Sequence, residues 1–171
     1  SVLAPRWADA ALPGGPARTL PNTLLYADLK GDVLAALGKG ARYEARRGLK
    51  ALEAGTVRSG PELLDALCAL EASKAARLGS APVPRPHLAR VLASPLYRSL
   101  AAFADGEPQA AVVYSLCARV ATFHFNASTE RGQQSFVNKG LLARALAESR
   151  AAGAEVFVLG DGRPAGGQLG Q

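Results

Sequence analysis

The stretch YRSLAAFADGEPQAAVVYSLCARVATFHFNA, residues 97–127, decides the fold. Tyr97 to Ala104 reads as a strand, and Asp105-Gly106 is a dipeptide that supplies the positive φ angles of a tight hairpin. Gln109 to Cys117 is a second, strongly apolar strand, and Val120 to Ala127 is a third. Three strands in succession predict an antiparallel meander and exclude the strict strand–helix alternation of a doubly wound sheet. Downstream, Asn138 to Ala152 carries Leu141, Leu142, Ala145 and Leu146 at helical spacing, and Gly153 closes the helix. Glu155 to Leu159 (EVFVL) is then a short buried strand.

Upstream, Thr23 to Leu29 predicts a strand, and Asp32 caps a short helix running to Leu37. Lys39 to Glu53 predicts a basic helix that Gly55 ends. Ser59-Gly60-Pro61-Glu62 has the form of a capping box with Pro in the first turn. Behind it Leu63, Leu64, Leu67, Cys68 and Leu70 recur at helical spacing until Gly79. After a Pro-rich loop, Leu88, Val91 and Leu92 mark one face of a shorter helix that Pro95 terminates. The order is strand, helices, meander, helix, strand, without internal repeats. It predicts an α+β architecture in which helices flank a mixed, mostly antiparallel sheet. Residues 1–22 read as a Pro/Gly/Ala-rich linker or incoming loop, 23–162 as the folded domain, and 163–171 as a flexible Gly-rich end.

The chain has 171 residues, enough for one domain with a sizeable core. It has no run of eighteen apolar residues, so no membrane span is expected, and no signal-peptide layout is visible at its start. It contains no Met, which reads as a piece of a longer protein. Cys68 and Cys117 stand far apart in apolar runs, and His87 and His124 are isolated. That pattern predicts core thiols in a reducing, cytoplasmic setting and no metal site. A net charge of +6 and a pI near 9.7 favour anionic partners. A composition rich in Ala and Arg from a GC-rich genome would give the same balance.

Several segments together carry a resemblance. The helix Gly38–Lys50 (GKGARYEARRGLK) is similar to a K-x-R-x-x-I-R-x-A pattern, and the TLLYADL strand before it is similar to a T-x-x-x-D-L strand. Leu70–Leu78 (LEASKAARL) resembles a stretch in which an Arg follows a helix. His124–Ser128 (HFNAS) resembles an aromatic-x-x-A-S strand ending. Gly140–Gly160 resembles a helix, a Gly, and a short strand ending in Gly. In that order, over roughly residues 20–162, these segments resemble the FemABX-like aminoacyl/acyltransferases of bacterial cell-wall synthesis, within the GNAT superfamily. The resemblance implies a GNAT-like acyl-CoA N-acyltransferase fold. It implies a donor wedge between Val120–Ala127 and Glu155–Leu159, an acyl donor that is aminoacyl-tRNA or acyl-CoA, and no permanently bound cofactor. Such members also carry a Lys-containing strand soon after the Gly-rich turn, which is missing up to Gln171, and often a second GNAT-like domain. The chain therefore reads as the second, C-terminal domain of two, cut at both ends.

The chemistry implied is transfer of an amino acid or acyl group to the amine of an anionic, peptide-like acceptor such as a peptidoglycan precursor. No G-x-S-x-G elbow or Ser-His-Asp order occurs, so direct attack by the acceptor amine is the expected route. His124 is the candidate proton acceptor. Arg77 matches by resemblance an Arg that grips the anionic acceptor, although a cation near a helix C-terminus is also what the dipole favours. Asn126 and Ser128 alternate with His124 and are expected on one strand face lining the wedge. Arg42 and Arg46, with Arg47 and Lys50, form a basic helical face, and Lys139 precedes the last helix. These are candidate contacts to donor or RNA phosphates, or a solvated face. The Q/R-x-x-G-x-G/A spacing of a pyrophosphate loop is absent around Arg131–Gly140, which speaks against CoA. A non-catalytic GNAT-like scaffold and a basic RNA-binding module are the alternatives.

Overall fold

The computed structural model describes residues 24–161. The elements are β1 (Leu24–Asp28), α1 (Val33–Ala36), α2 (Lys39–Glu53), β2 (Thr56–Arg58), a 3-10 turn (Pro61–Leu63), α3 (Leu64–Leu78), α4 (Arg85–Ala93), β3 (Tyr97–Ala104), β4 (Glu107–Cys117), β5 (Val120–Ser128), α5 (Glu130–Gln134), α6 (Val137–Ala151) and β6 (Val156–Asp161). The strands form one sheet in the order β1-β6-β5-β4-β3-β2, and every pair is antiparallel except β5–β6. This is the expected α+β arrangement of helices on a mixed, mostly antiparallel sheet, and the three strands from Tyr97 to Ser128 are its centre.

Local sequence explains the elements. Asp105 and Gly106 both take positive φ, 55° and 83°, which matches the hairpin twist to that of β3 and β4. The Asp32 side chain accepts from Ala35 N–H at 3.1 Å and caps α1. Gly79 ends α3 in the left-handed conformation. The capping box at Ser59 does not form. Gly60, at φ 116°, is the residue before the 3-10 turn, and no side chain caps it. Ser99 Oγ instead accepts from the Gly60 amide at 3.3 Å.

Each sheet face has its own core. On one face α2 and α6 cover Leu100, Ala102, Ala110, Val112, Tyr114, Ala121 and Phe157. On the other, α3 and α4 cover Ala101, Ala111, Val113 and Ala127, with Phe125 and Tyr97 at the margin. Phe157 is fully buried, so truncating it to Ala costs about 3–5 kcal/mol. The two helices on the first face meet at Gly48 and Gly140. A Cβ on Gly48 would lie 2.5 Å from Gly140 N, so only a pair of glycines permits this approach.

Candidate active site

The sheet opens where β5 and β6 part. Their parallel pairing covers Val120, Ala121 and Thr122 against Val156, Phe157 and Val158. Beyond Thr122, β5 is paired with β4 alone among the described residues, while β6 continues along β1 to Asp161. A wedge therefore lies between Phe123–Ser128 and the end of β6. Along such an edge alternate N–H and C=O groups lack a strand partner, and an extended amide-bearing donor can supply one.

A β-bulge sits at the apex of this wedge. On β4, Val113 and Tyr114 are adjacent, yet their β5 partners are Phe125 and Phe123. His124 is thus the extra residue, and a bulge bends its strand and increases the twist. It also switches faces. Ala121 and Phe123 join the core under α6, whereas Phe125 and Ala127 join the core under α3.

This changes the expected placement of the polar residues on β5. His124 lies on the α3 side, its ring edge-on to Tyr97 with centroids 5.1 Å apart, and its Nε2 lies 2.8 Å from Ser115 Oγ. Asn126 and Ser128 stand opposite Val112 and Ala110, on the α6 side. The bulge separates His124 from the two residues with which it was expected to share a face. Partial burial lowers the His124 pKa below the ordinary imidazole value, which favours the neutral ring that can accept a proton.

Ser128, Arg77 and a residue that sequence reasoning missed converge at the tip of β5. Thr129 caps α5 by accepting from Gly132 N–H at 3.0 Å, and its own amide donates to the Gln109 carbonyl at 2.9 Å. This clamp presents Gln133. With its amide oxygen turned inward, Gln133 accepts from Arg77 Nη2 at 2.7 Å and from Ser128 Oγ at 3.3 Å. Arg77 reaches this point from the last turn of α3. A lone Thr-x-x-Gly was the available signal for α5.

The basic face is real but smaller than expected. Lys39, Tyr43, Arg46, Arg47 and Lys50 are exposed along α2. Arg42 is not free for a phosphate: its Nη2 donates to the carbonyls of Ala35 and Leu37 at 2.7 and 2.8 Å, closing the end of α1. The face continues to the start of α6, where the Arg47 guanidinium lies 5.3 Å above Phe136 and Lys139 pairs with Glu44 at 3.9 Å. In the first turn of α6 the Lys139 amide donates to Asn138 Oδ1 and Phe136 O, both at 2.9 Å, so it is engaged within the helix. Among the described residues no group of three or more His, Cys, Asp or Glu is placed to hold a metal, and no helix is long and apolar enough to cross a membrane.

The profile of the family described as acetyltransferase (GNAT) domain matches residues 39–166. No curated protein matches by sequence. Among solved structures, the chain is similar to FemX, with a TM-score of 0.73 and 10% identity over 85% of this chain and 55% of that one. It is similar to L-PGS from Bacillus licheniformis, with a TM-score of 0.62 and 14% identity over 86% of this chain and 49% of that one. A ribosomal-protein-alanine N-acetyltransferase from Brucella melitensis biovar Abortus 2308 matches with a TM-score of 0.54 and 15% identity, over 66% of this chain and 83% of that one. The chain thus spans about half the length of FemX and of L-PGS. At these identities the likeness is one of fold.

Proposed function

The chain belongs to the acetyltransferase (GNAT) domain family, and we propose that it is an acyltransferase that moves an amino acid or acyl group onto the amine of an anionic, peptide-like acceptor. The observation that carries this reading is the β5–β6 wedge with the His124 bulge at its apex. The donor carbonyl lies along the open edge of β5. The acceptor amine approaches from the α3 side and attacks the carbonyl directly. Strand amides that face the gap stabilise the oxyanion. His124, directly or through one water, takes the amine proton as the N–C bond forms and the bond from carbonyl to carrier breaks; the carrier leaves as thiolate, or as a hydroxyl that takes the proton back from the imidazolium. Arg77, Ser128 and Gln133 hold the acceptor at the tip of β5, and a peptidoglycan precursor is one acceptor with suitable chemistry.

The donor side favours a polyanion. Lys39, Arg46, Arg47 and Lys50 line one face of α2 and Lys139 lies beside it at the start of α6, with Tyr43 exposed among them for stacking. The pyrophosphate-binding sequence pattern is absent. Both features support aminoacyl-tRNA over acyl-CoA. Transfer of labelled amino acids from a charged tRNA pool, and of acetyl from acetyl-CoA, to peptide and muropeptide acceptors tests this. Transfer from tRNA that weakens steeply between 50 and 200 mM salt, on the order of 10²- to 10³-fold for five contacts, is the expected result. Transfer from acetyl-CoA alone overturns the donor, and a folded chain inactive with both donors overturns the reaction.

A further inference from the structure

Glu71 and Lys74 have no part in the site so far. Glu71 is an acid on the apolar stripe of α3, with its side chain only 6% exposed. One of its oxygens accepts from the Val83 amide at 3.4 Å, tying the loop after α3 to the helix. The other has no hydrogen-bond partner among the described residues and lies 3.5 Å from Lys74 Nζ. A buried carboxylate in this state is costly unless a cation stays beside it. Lys74 is in turn held 4.8 Å above the Phe125 ring, with its side chain 28% exposed. The ammonium is therefore fixed, partly desolvated, and set against the residue that follows His124.

We propose that Lys74 is a specificity-determining residue that binds a carboxylate or phosphate of the acceptor close to its reacting amine. The inference rests on the acyl-transfer reading and names the acceptor more closely. An ammonium carries three protons, and Glu71 and the ring leave part of that capacity open to solvent and to a ligand. Phe125 directly follows His124, one step of about 3.3 Å along the strand, so amine and anion belong to the same or adjacent units of the acceptor. Arg77, three residues beyond Lys74 on α3 and bound to Gln133 beside Ser128, serves a second anion. The acceptor class is an amino acid or short peptide whose free amine stands near an acidic group. Glu71 is the positioning residue: it keeps Lys74 from swinging into solvent.

The probe pair is alanyl-alanine and its C-terminal amide, which differ by one negative charge. Binding is followed through the Phe125 and Lys74 resonances, and transfer with whichever donor the wild type accepts. The expected result is tighter binding of the carboxylate, by about tenfold, in the wild type and in Lys74→Arg. In Lys74→Ala the two probes bind alike, while amide binding is unchanged. A preference that survives Lys74→Ala, or equal binding by the wild type, overturns the proposal even where transfer proceeds. Charge-selective binding without transfer overturns the acyl-transfer reading and leaves the cation site standing. Glu71→Gln keeps the loop contact and is expected to weaken the preference without unfolding the chain; a full preference in this variant removes Glu71 from the arrangement.

Discussion

Replacing Gly48 with Ala should destabilise the domain, against the ordinary behaviour of a helical glycine. In an open helix, Ala is worth up to about 1 kcal/mol over Gly. At Gly48 the added Cβ would meet Gly140 N at 2.5 Å and Gly140 Cα at 2.9 Å. Carbon contacts are comfortable at about 3.5–4.0 Å, so the shortfall is on the order of 1 Å. The opposing atoms are helix backbone, which cannot rotate away, and α2 and α6 must separate along their crossing. Overpacking of this kind costs about 1–3 kcal/mol. Gly40, on the same helix, is the internal control: nothing lies within 4 Å of its built Cβ, so Gly40→Ala should stabilise slightly. Urea unfolding of the three proteins reads both effects as shifts in midpoint at constant slope. Gly48→Ala matching or exceeding the wild type would refute the close-packed crossing. The variant should also lose transfer activity under native conditions, because Phe136 and Lys139, which meet the basic face of α2, move with α6.

Three further outcomes follow from the same geometry. In His124→Gln, transfer should fall by about 10²-fold or more. In the wild type, kcat/KM should decline as pH falls through a midpoint below the ordinary 6.5, since burial favours the neutral ring and only that form accepts a proton. An acid limb that persists unchanged in the variant removes His124 from the chemistry. Arg77→Lys keeps the charge and loses the fork, so KM for the acceptor should rise about tenfold with kcat and thermal midpoint nearly unchanged; an unaltered KM argues that Arg77 only braces Gln133. Tyr114→Phe removes the hydroxyl that donates to Glu148 Oε2 at 3.1 Å. Burial, then the Glu148 carboxylate, hold that phenol protonated well above its usual range, so the loss should be about 1–2 kcal/mol of stability at neutral and alkaline pH alike, with transfer intact. A fall in activity without a fall in stability would instead draw the cleft beside Tyr97, Arg98 and Glu148 into function.

Where periodicity is long, the sequence and the structure coincide. The helix expected over 39–53 and the strand over 97–104 have those bounds in the structure. β2 escaped because three edge residues carry no period. α5 escaped because Glu130–Gln134 has no apolar face. The bulge was illegible for a different reason. Phe123, Phe125 and Ala127 alternate with polar residues without interruption, and a strand read alone cannot show that its partner has one residue fewer. Register is a property of a pair. Arg42 could not be told from its basic neighbours, because its partners are backbone carbonyls on another element. Glu71 was legible in principle: it falls on the stripe of Leu67, Leu70 and Ala75, and an acid on a buried stripe calls for a partner.

The single extra residue on β5 bears on the order of the proposed reaction. In a regular strand Phe123 and Phe125 would share a face, both under α6 or both under α3. Either choice would strip one core of an aromatic side chain and leave the next polar residue facing the wrong layer. The bulge lets β5 serve α6 before His124 and α3 after it. It coincides with the last pairing to β6, so the strand bends away where its face changes. Attack on a planar carbonyl needs nucleophile and leaving group on separate approaches. A wedge that passes from one face of the sheet to the other at its apex supplies two such approaches. On this reading the donor lies toward the basic face of α2 and the start of α6, the acceptor lies under α3 with Lys74 and Arg77, and the imidazole stands where the two meet. Activity should therefore be more sensitive to the register of β5 against β4 than to the identity of any one residue on the basic face.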